Sequence, residues 1–454
     1  MSAPALEPTT LPSPRLGWLL LFFIVAFLVV TQFVGYMSRG TSPDAAARKA
    51  ETELRLSMSQ KAVAERLRSI VDSREVVKTA QLREGLLHDL RSDIPRSEYA
   101  AAVAAAIAVE RGERVPEAAL EKLSKSKKPR VQALLETYRA NSLTPQEAQA
   151  LVDRLPDAPF VYKAAKIHAL EKAGQKGVRA EFFPRALLLP FLVLAFVAVV
   201  LGGLALWIAY GFARNLGKLK PLGHPTGELS PDNADRYAMR ASQILLLFFS
   251  IGIVFALVFS ARQDRWIMPL QMAIVLGLVL LLARVPIYGK KISPRLQGLH
   301  TENLGVNVLW GLAGAVANVP LLILTVLVTA PLFSGLPAPE HPSTTELMAS
   351  RSVLLILSTF FAASVVAPII EEICFRGTLF PALASVTRSV PAGVVLSSLI
   401  FAAIHPTGLP AWAPLAAIGA TAAMLTHQTK SLVPAMVMHA VHNSAILIFT
   451  LIAF

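Results

Sequence analysis

Nine long apolar runs, almost free of charge, govern what this chain can fold into. They cover roughly residues 17–37, 186–210, 241–261, 266–284, 306–333, 352–381, 389–405, 411–427 and 432–453. At about 1.5 Å rise per residue, about 20 residues cross the hydrocarbon core of a bilayer. Lipid offers backbone groups no partner, so a spanning segment must be a helix or part of a closed barrel. Runs of this length specify helices. The fold class is therefore all-α: a polytopic transmembrane bundle of about nine spans with an inserted helical extramembrane domain. The fifth run contains Pro320, whose missing donor predicts a kink.

The insert is visible as charge. Charged residues are only 16 % of the 454, against about 25 % in soluble domains. Yet 25 Lys/Arg and 19 Asp/Glu lie between Thr41 and Ala180, 44 of the chain's 73 charges. Apolar residues recur there at helical spacing, as in Val131, Leu134, Leu135 and Tyr138. Helix-start signals recur as Ser42-Pro43-Asp44, Val115-Pro116-Glu117 and Thr144-Pro145-Gln146-Glu147, the last resembling a capping box. Stacked helical hairpins without a clean repeat are expected, a candidate surface for a protein partner. The expected divisions are 1–40, a signal-anchor span; 41–185, the helical extramembrane domain; 186–299, linking spans; and 300–454, a membrane domain with polar residues inside its helices. The first run ends in Tyr36-Met37-Ser38-Arg39, without the small residues of a cleavage site.

The net charge of +13 does not point to nucleic acid. Positive charge sits in short loops between apolar runs, where the cytoplasmic side of a membrane protein carries it. Arg214, Lys218, Lys220, Arg236 and Arg240, then Lys290, Lys291 and Arg295, then Arg388 and Lys430, all fall on one side. The Lys/Arg-free loop 334–350, with Glu340 and Glu346, falls on the other; only Arg262 and Arg265 disagree. This predicts a multi-pass protein of a bacterial inner (plasma) membrane, N-terminus cytoplasmic and residues 38–185 on the opposite side. The single cysteine, Cys374, excludes an internal disulfide.

Chemistry concentrates in Ala367-Pro-Ile-Ile-Glu-Glu-Ile-Cys-Phe-Arg-Gly377, inside the sixth run. An ionisable group at mid-membrane costs about 2.5–3.5 kcal/mol on insertion scales, so an intramembrane acid marks a functional site by default. Glu372 and Arg376 are four apart and share a helix face. Glu371 is rotated about 100° from Glu372 and is left to face a cavity. Phe401-Ala-Ala-Ile-His405 ends the seventh run, and His439-Ala-Val-His-Asn443 lies in the ninth. From the ends of their helices, Glu371 lies roughly 21 Å deep, His405 roughly 24 Å, Asn443 roughly 18 Å and His439 roughly 12 Å, so the four can share one slab.

These three motifs, Glu-Glu-x-x-x-Arg, Phe-x-x-x-His and His-x-x-x-Asn in this order on hydrophobic helices, resemble those of the CAAX protease and bacteriocin-processing family (CPBP, or Abi), which includes the type II CAAX prenyl endopeptidases. Phe375-Arg376-Gly377 and Ser431-Leu432-Val433-Pro434 fit as well. The resemblance covers about residues 300–454 and implies an intramembrane endopeptidase acting on a membrane-associated protein or peptide. It implies Glu371 as the base that activates water, His405 as the group that helps hold it, His439 and Asn443 as oxyanion donors, and Glu372 and Arg376 as orienting groups. Zinc held by Glu371, His405 and His439 is the alternative to this metal-free route. A buried acid that titrates near working pH suits a base, and donors gain strength in a dry cavity.

Other readings compete. A proton-coupled transporter also buries acids and histidines, but inverted repeats with broken helices are not found. A non-catalytic membrane scaffold acting through 41–180 is the second. Glu371, Glu372 and Arg376 can form a structural ion pair, and His405 can cap a helix. His442 is expected to be a structural neighbour of the site, and Cys374, whose thiolate an apolar helix disfavours, a packing residue. His88, His168, His224, His300, His341 and His427 are expected at the surface or in loops.

Overall fold

The structure, a computed structural model, describes residues 16–40, 44–67, 81–157, 159–220, 231–259, 267–287, 297–333 and 352–453, with the single residues 292 and 336. Several expectations fall outside them: Ser42 and Pro43, His224 and His341, Arg262 and Arg265, Lys290, Lys291 and Arg295, and Glu340 and Glu346. The described residues are helical and contain no strand. The chain forms two compact units, one of Met1–Tyr36 with Val197–Leu447, the other of Met37–Phe196 with Ile448–Phe454.

The helices of the charged unit are α2 (Ala45–Leu67), α3 (Glu98–Arg111), α4 (Glu117–Ser124), α5 (Pro129–Arg139), α6 (Pro145–Arg154) and α7 (Phe160–Lys172), following α1 (Leu16–Gly40). The centre of this unit is α3. Its stretch Ala100–Ala108 is buried on every side, because alanines let neighbouring backbones approach all round. Ser97 caps α3 by accepting from the amides of Tyr99 and Ala100, and Gly112, at φ +70°, ends it in a left-handed turn. The Thr144–Glu147 capping box is formed at the start of α6. Val131, Leu134, Leu135 and Tyr138 are buried on α5, as their spacing predicts.

One expectation for this unit fails. His168 is not a surface residue; it is 1 % exposed and lies in a buried charge cluster. Glu110, at the last turn of α3, has a fully buried carboxylate that pairs with Lys61, with Arg179 at 2.8 Å and with His168 Nε2 at 3.0 Å. His168 Nδ1 meets the Tyr138 hydroxyl at 3.3 Å. The reason is electrostatic: an acid at a helix C-terminus faces the negative end of the dipole, and burial adds a desolvation cost that only cations can offset. Burial by itself raises the Glu110 carboxyl, but the hydrogen bond from His168 and the charge of Arg179 outweigh it and hold it well below the usual carboxylate range.

The membrane helices are α8 (Leu189–Asn215), α9 (Pro231–Phe259), α10 (Ile267–Leu282), α11 (Leu304–Thr329), α12 (Val353–Val386), α13 (Val390–Ala403), α14 (Trp412–Thr429) and α15 (Val433–Ala453). Among the described residues seven helices are long and apolar enough to cross a membrane: Leu16–Ser38, Pro190–Asn215, Ala234–Phe255, Leu304–Thr329, Val353–Val386, Leu409–Thr429 and Val433–Leu451. Two of the nine expected runs give only shorter apolar helices, Leu270–Leu282 and Val390–Ala403. This is an integral membrane protein of all-α class. Its large outward-facing residues, such as Phe191, Leu194, Leu257 and Leu332, suit hydrocarbon and not water. Pro320 lies within α11, and Gly203 of α8 packs there: a Cβ on Gly203 would come within 2.7 Å of the proline ring.

Candidate active site

The two acids sit on a helix built to be irregular. Within α12, the α-helical turns Ala367–Cys374 that carry Glu371 and Glu372 lie between two π-helical segments, Ala362–Val366 and Phe375–Leu379. Each π segment ends two residues before a proline, Pro368 or Pro381. Proline lacks the N–H that an α-helix needs, and widening the ring by one residue shifts the mismatch along the chain. In the first segment the Ala367 amide bonds the carbonyl of Ala362, five residues back. The next carbonyl, of Ala363, would need an amide at position 368, where the proline has none. Asn443 of α15 supplies that bond, its Nδ2 donating to the Ala363 oxygen at 2.8 Å. Single-turn π segments of this kind are frequent at functional sites.

The acids then divide by burial. The Glu372 side chain is fully buried. Its Oε1 accepts from Arg376 Nη1 at 2.9 Å, the pairing that the four-residue spacing predicts, and from His439 Nδ1 at 2.9 Å. The Glu371 side chain keeps 22 % of its surface open. Its Oε2 stands 3.7 Å from His405 Nε2 and 3.7 Å from His439 Nε2, and has no hydrogen-bond partner among the described residues.

The imidazoles are held by their other nitrogens. His405 Nδ1 donates to the Phe401 carbonyl, which can only accept, and His439 Nδ1 takes the carboxylate of Glu372. Both Nε2 atoms therefore turn to the same oxygen of Glu371. A gap of 3.7 Å exceeds a direct hydrogen bond and suits a bridging water. Zinc was the alternative, on Glu371, His405 and His439. Among the described residues no group of three His, Cys, Asp or Glu side chains is arranged to hold a metal ion, so no step is routed through one.

Phe401 is the residue whose part sequence reasoning left unassigned. It is fully buried at the centre of the site. The Arg376 guanidinium lies 4.6 Å over its ring, and the rings of His405 and His439 lie 4.3 Å and 5.9 Å from it. One aromatic thus serves as the wall against which the cation and both imidazoles are set. Its position four before His405 was the signal available. His442 makes no hydrogen bond among the described residues, and Cys374 is buried against α9 near the carbonyl of Ala241; neither enters the site.

The short α13 delivers His405. At 14 residues, roughly 21 Å of helix, it ends at Ala403, and the chain turns through His405–Gly408 before α14. Gly408 has φ +93°, and a Cβ there would overlap the ring of Tyr36, which is buried. Gly408→Ala should therefore destabilise the membrane unit by about 2–4 kcal/mol, from positive φ and overpacking together. Thermal unfolding in detergent measures this; an unchanged midpoint refutes the close packing.

Residues 353–445 match the family model described as Rce1-like, type II CAAX prenyl endopeptidase Rce1-like. No curated protein and no solved structure matches the chain. The matched residues span α12 through most of α15 and include Glu371, Glu372, Arg376, His405, His439 and Asn443. Over residues 353–445, the segment that carries all three motifs, the chain is thus similar to the CAAX protease (CPBP) family.

Proposed function

We propose that this protein is an intramembrane endopeptidase that hydrolyses a peptide bond of a membrane-associated protein or peptide. The observation that carries the reading is the placement of Glu371 Oε2, partnerless and 3.7 Å from two imidazole Nε2 atoms. A water placed among these three can give one hydrogen to the carboxylate and one to an imidazole. Glu371 takes a proton from the water as its oxygen attacks the scissile carbonyl carbon. The carbonyl π electrons move onto oxygen. When the C–N bond breaks, the proton held by Glu371 goes to the leaving amine.

His405 holds the water, its ring fixed by the Phe401 carbonyl. His439, its Nδ1–H fixed by Glu372, offers Nε2–H to the oxyanion in the form that carries a proton on both ring nitrogens. Asn443 has one amide hydrogen committed to Ala363, so only its second can serve as an oxyanion donor. Arg376 and Glu372, sealed at 1 % and 0 % side-chain exposure, orient His439 and touch no substrate. The proposed membrane orientation follows the charged loops: N-terminus cytoplasmic, with residues 38–185 opposite.

The test is cleavage of a membrane-anchored peptide library by full-length protein in liposomes, wild type against His405→Ala. Loss of the water-holding group should lower turnover by about 10²-fold or more while the unfolding midpoint stays within a few degrees. Undiminished turnover in His405→Ala discards the assignment. Stoichiometric zinc in the active protein, removable with loss of activity, overturns the metal-free route.

A further inference from the structure

Away from the acids, α8, α11 and α14 enclose an apolar hollow of about 250 Å³, walled by Trp207, Tyr210, Leu219, Trp310, Leu425 and Gln428. Three of its polar lining side chains are paired. Trp207 Nε1 donates to the Ala317 carbonyl at 2.7 Å, the Thr421 hydroxyl donates to Asn318 Oδ1, and the Gln428 amide exchanges two bonds with the backbone of Lys220. The Tyr210 hydroxyl is buried and has no partner among the described residues. A phenol inside an apolar wall requires an acceptor, and these helices supply none.

The mouth of the hollow is basic. Arg214 follows the lining residue Ala213, and Lys218 and Lys220 bracket the lining residue Leu219. The side chains of Arg214 and Lys218 are exposed and form no ion pair among the described residues. No Asp or Glu occurs in Leu189–Asn215, Leu304–Thr329 or Trp412–Thr429. Three membrane helices thus join a hydrocarbon-lined slot to the exposed cations Arg214 and Lys218 at one end. A neutral lipid would leave the charge unanswered, and a free anion would leave the slot unfilled.

We infer that this hollow binds an anionic phospholipid, its acyl chain between Trp207 and Trp310, an ester or phosphate oxygen on the Tyr210 hydroxyl, and its phosphate against Arg214 and Lys218. Basic clusters beside membrane helices recognise such headgroups, and each charge near the surface is worth about fivefold in binding.

The experiment places full-length protein in phosphatidylcholine nanodiscs and titrates phosphatidylglycerol brominated on its acyl chain. Bromine quenches tryptophan fluorescence at contact, and a Trp207→Phe/Trp310→Phe variant isolates the signal of the hollow among the chain's 5 tryptophans. Brominated phosphatidylglycerol should quench that signal at mole fractions at least tenfold lower than brominated phosphatidylcholine. Arg214→Gln/Lys218→Gln, both on exposed side chains, should shift the midpoint by about 25-fold, at about fivefold per charge. Equal quenching by the two headgroups, or an unmoved midpoint in that variant, overturns the proposal in favour of a plain hydrocarbon groove. Displacement by millimolar inorganic phosphate overturns it in favour of a free-anion site.

Discussion

Glu371→Gln should cut cleavage of a membrane-anchored reporter peptide by about 10²- to 10⁴-fold, the usual worth of a positioned general base. Glutamine keeps the volume and one oxygen of the side chain but cannot accept the water's proton. Because Glu371 Oε2 has no hydrogen-bond partner among the described residues, the substitution breaks no contact that holds the helices together. The variant should therefore insert normally and unfold within a few degrees of wild type. Glu372→Gln is the contrasting change. Its carboxylate is fully buried and bonded to Arg376 and His439, so removing its charge leaves a buried guanidinium unbalanced and should lower the unfolding midpoint as well as the rate. The pair separates the acid that reacts from the acid that positions. Turnover of Glu371→Gln within threefold of wild type would remove Glu371 from the chemistry.

The second large effect belongs to the charged helical unit. Glu110→Ala should destabilise it by about 3–5 kcal/mol, because breaking a buried ion pair strands its partners. Here the partners are Lys61, Arg179 and His168, around a carboxylate of 0 % exposure. Chemical denaturation of full-length protein, followed by proteolysis within 81–157, reads the loss. The sign of the pH dependence follows from the lowered Glu110 carboxyl. An unfolded glutamate titrates near about 4.3. A folded-state value below that contributes stability that is complete above about pH 4.3 and is lost as pH falls through the folded value. Wild type should thus lose stability on acidification below about pH 4, and Glu110→Ala should show a shallower loss over the same range. Equal stability of the two proteins at pH 7 refutes the cluster's role.

The difference between these sites explains how much the sequence could reveal. The Glu372–Arg376 pair was legible because four residues is one helical turn, and spacing within a helix is written in the chain. The freedom of Glu371 followed from the same turn. His168 was not legible: its partners are Glu110 and Tyr138, on two other helices, and no local period connects them. Asn443 illustrates the middle case. Its motif marked it as polar and intramembrane, but its bond to the Ala363 carbonyl arises from a π turn before Pro368, a consequence of backbone geometry.

By itself the sequence determined the all-α class, the membrane as solvent, the charged insert and the polar residues set inside apolar helices. These follow from length, hydropathy and helical period, all of which are local. Only the tertiary structure decided that His405 and His439 turn their Nε2 atoms to one oxygen of Glu371, that Phe401 backs both, and that α13 stops short enough to deliver His405. Those are relations between helices, set by packing and by where each ring nitrogen finds its second hydrogen bond, and no one-dimensional pattern encodes them.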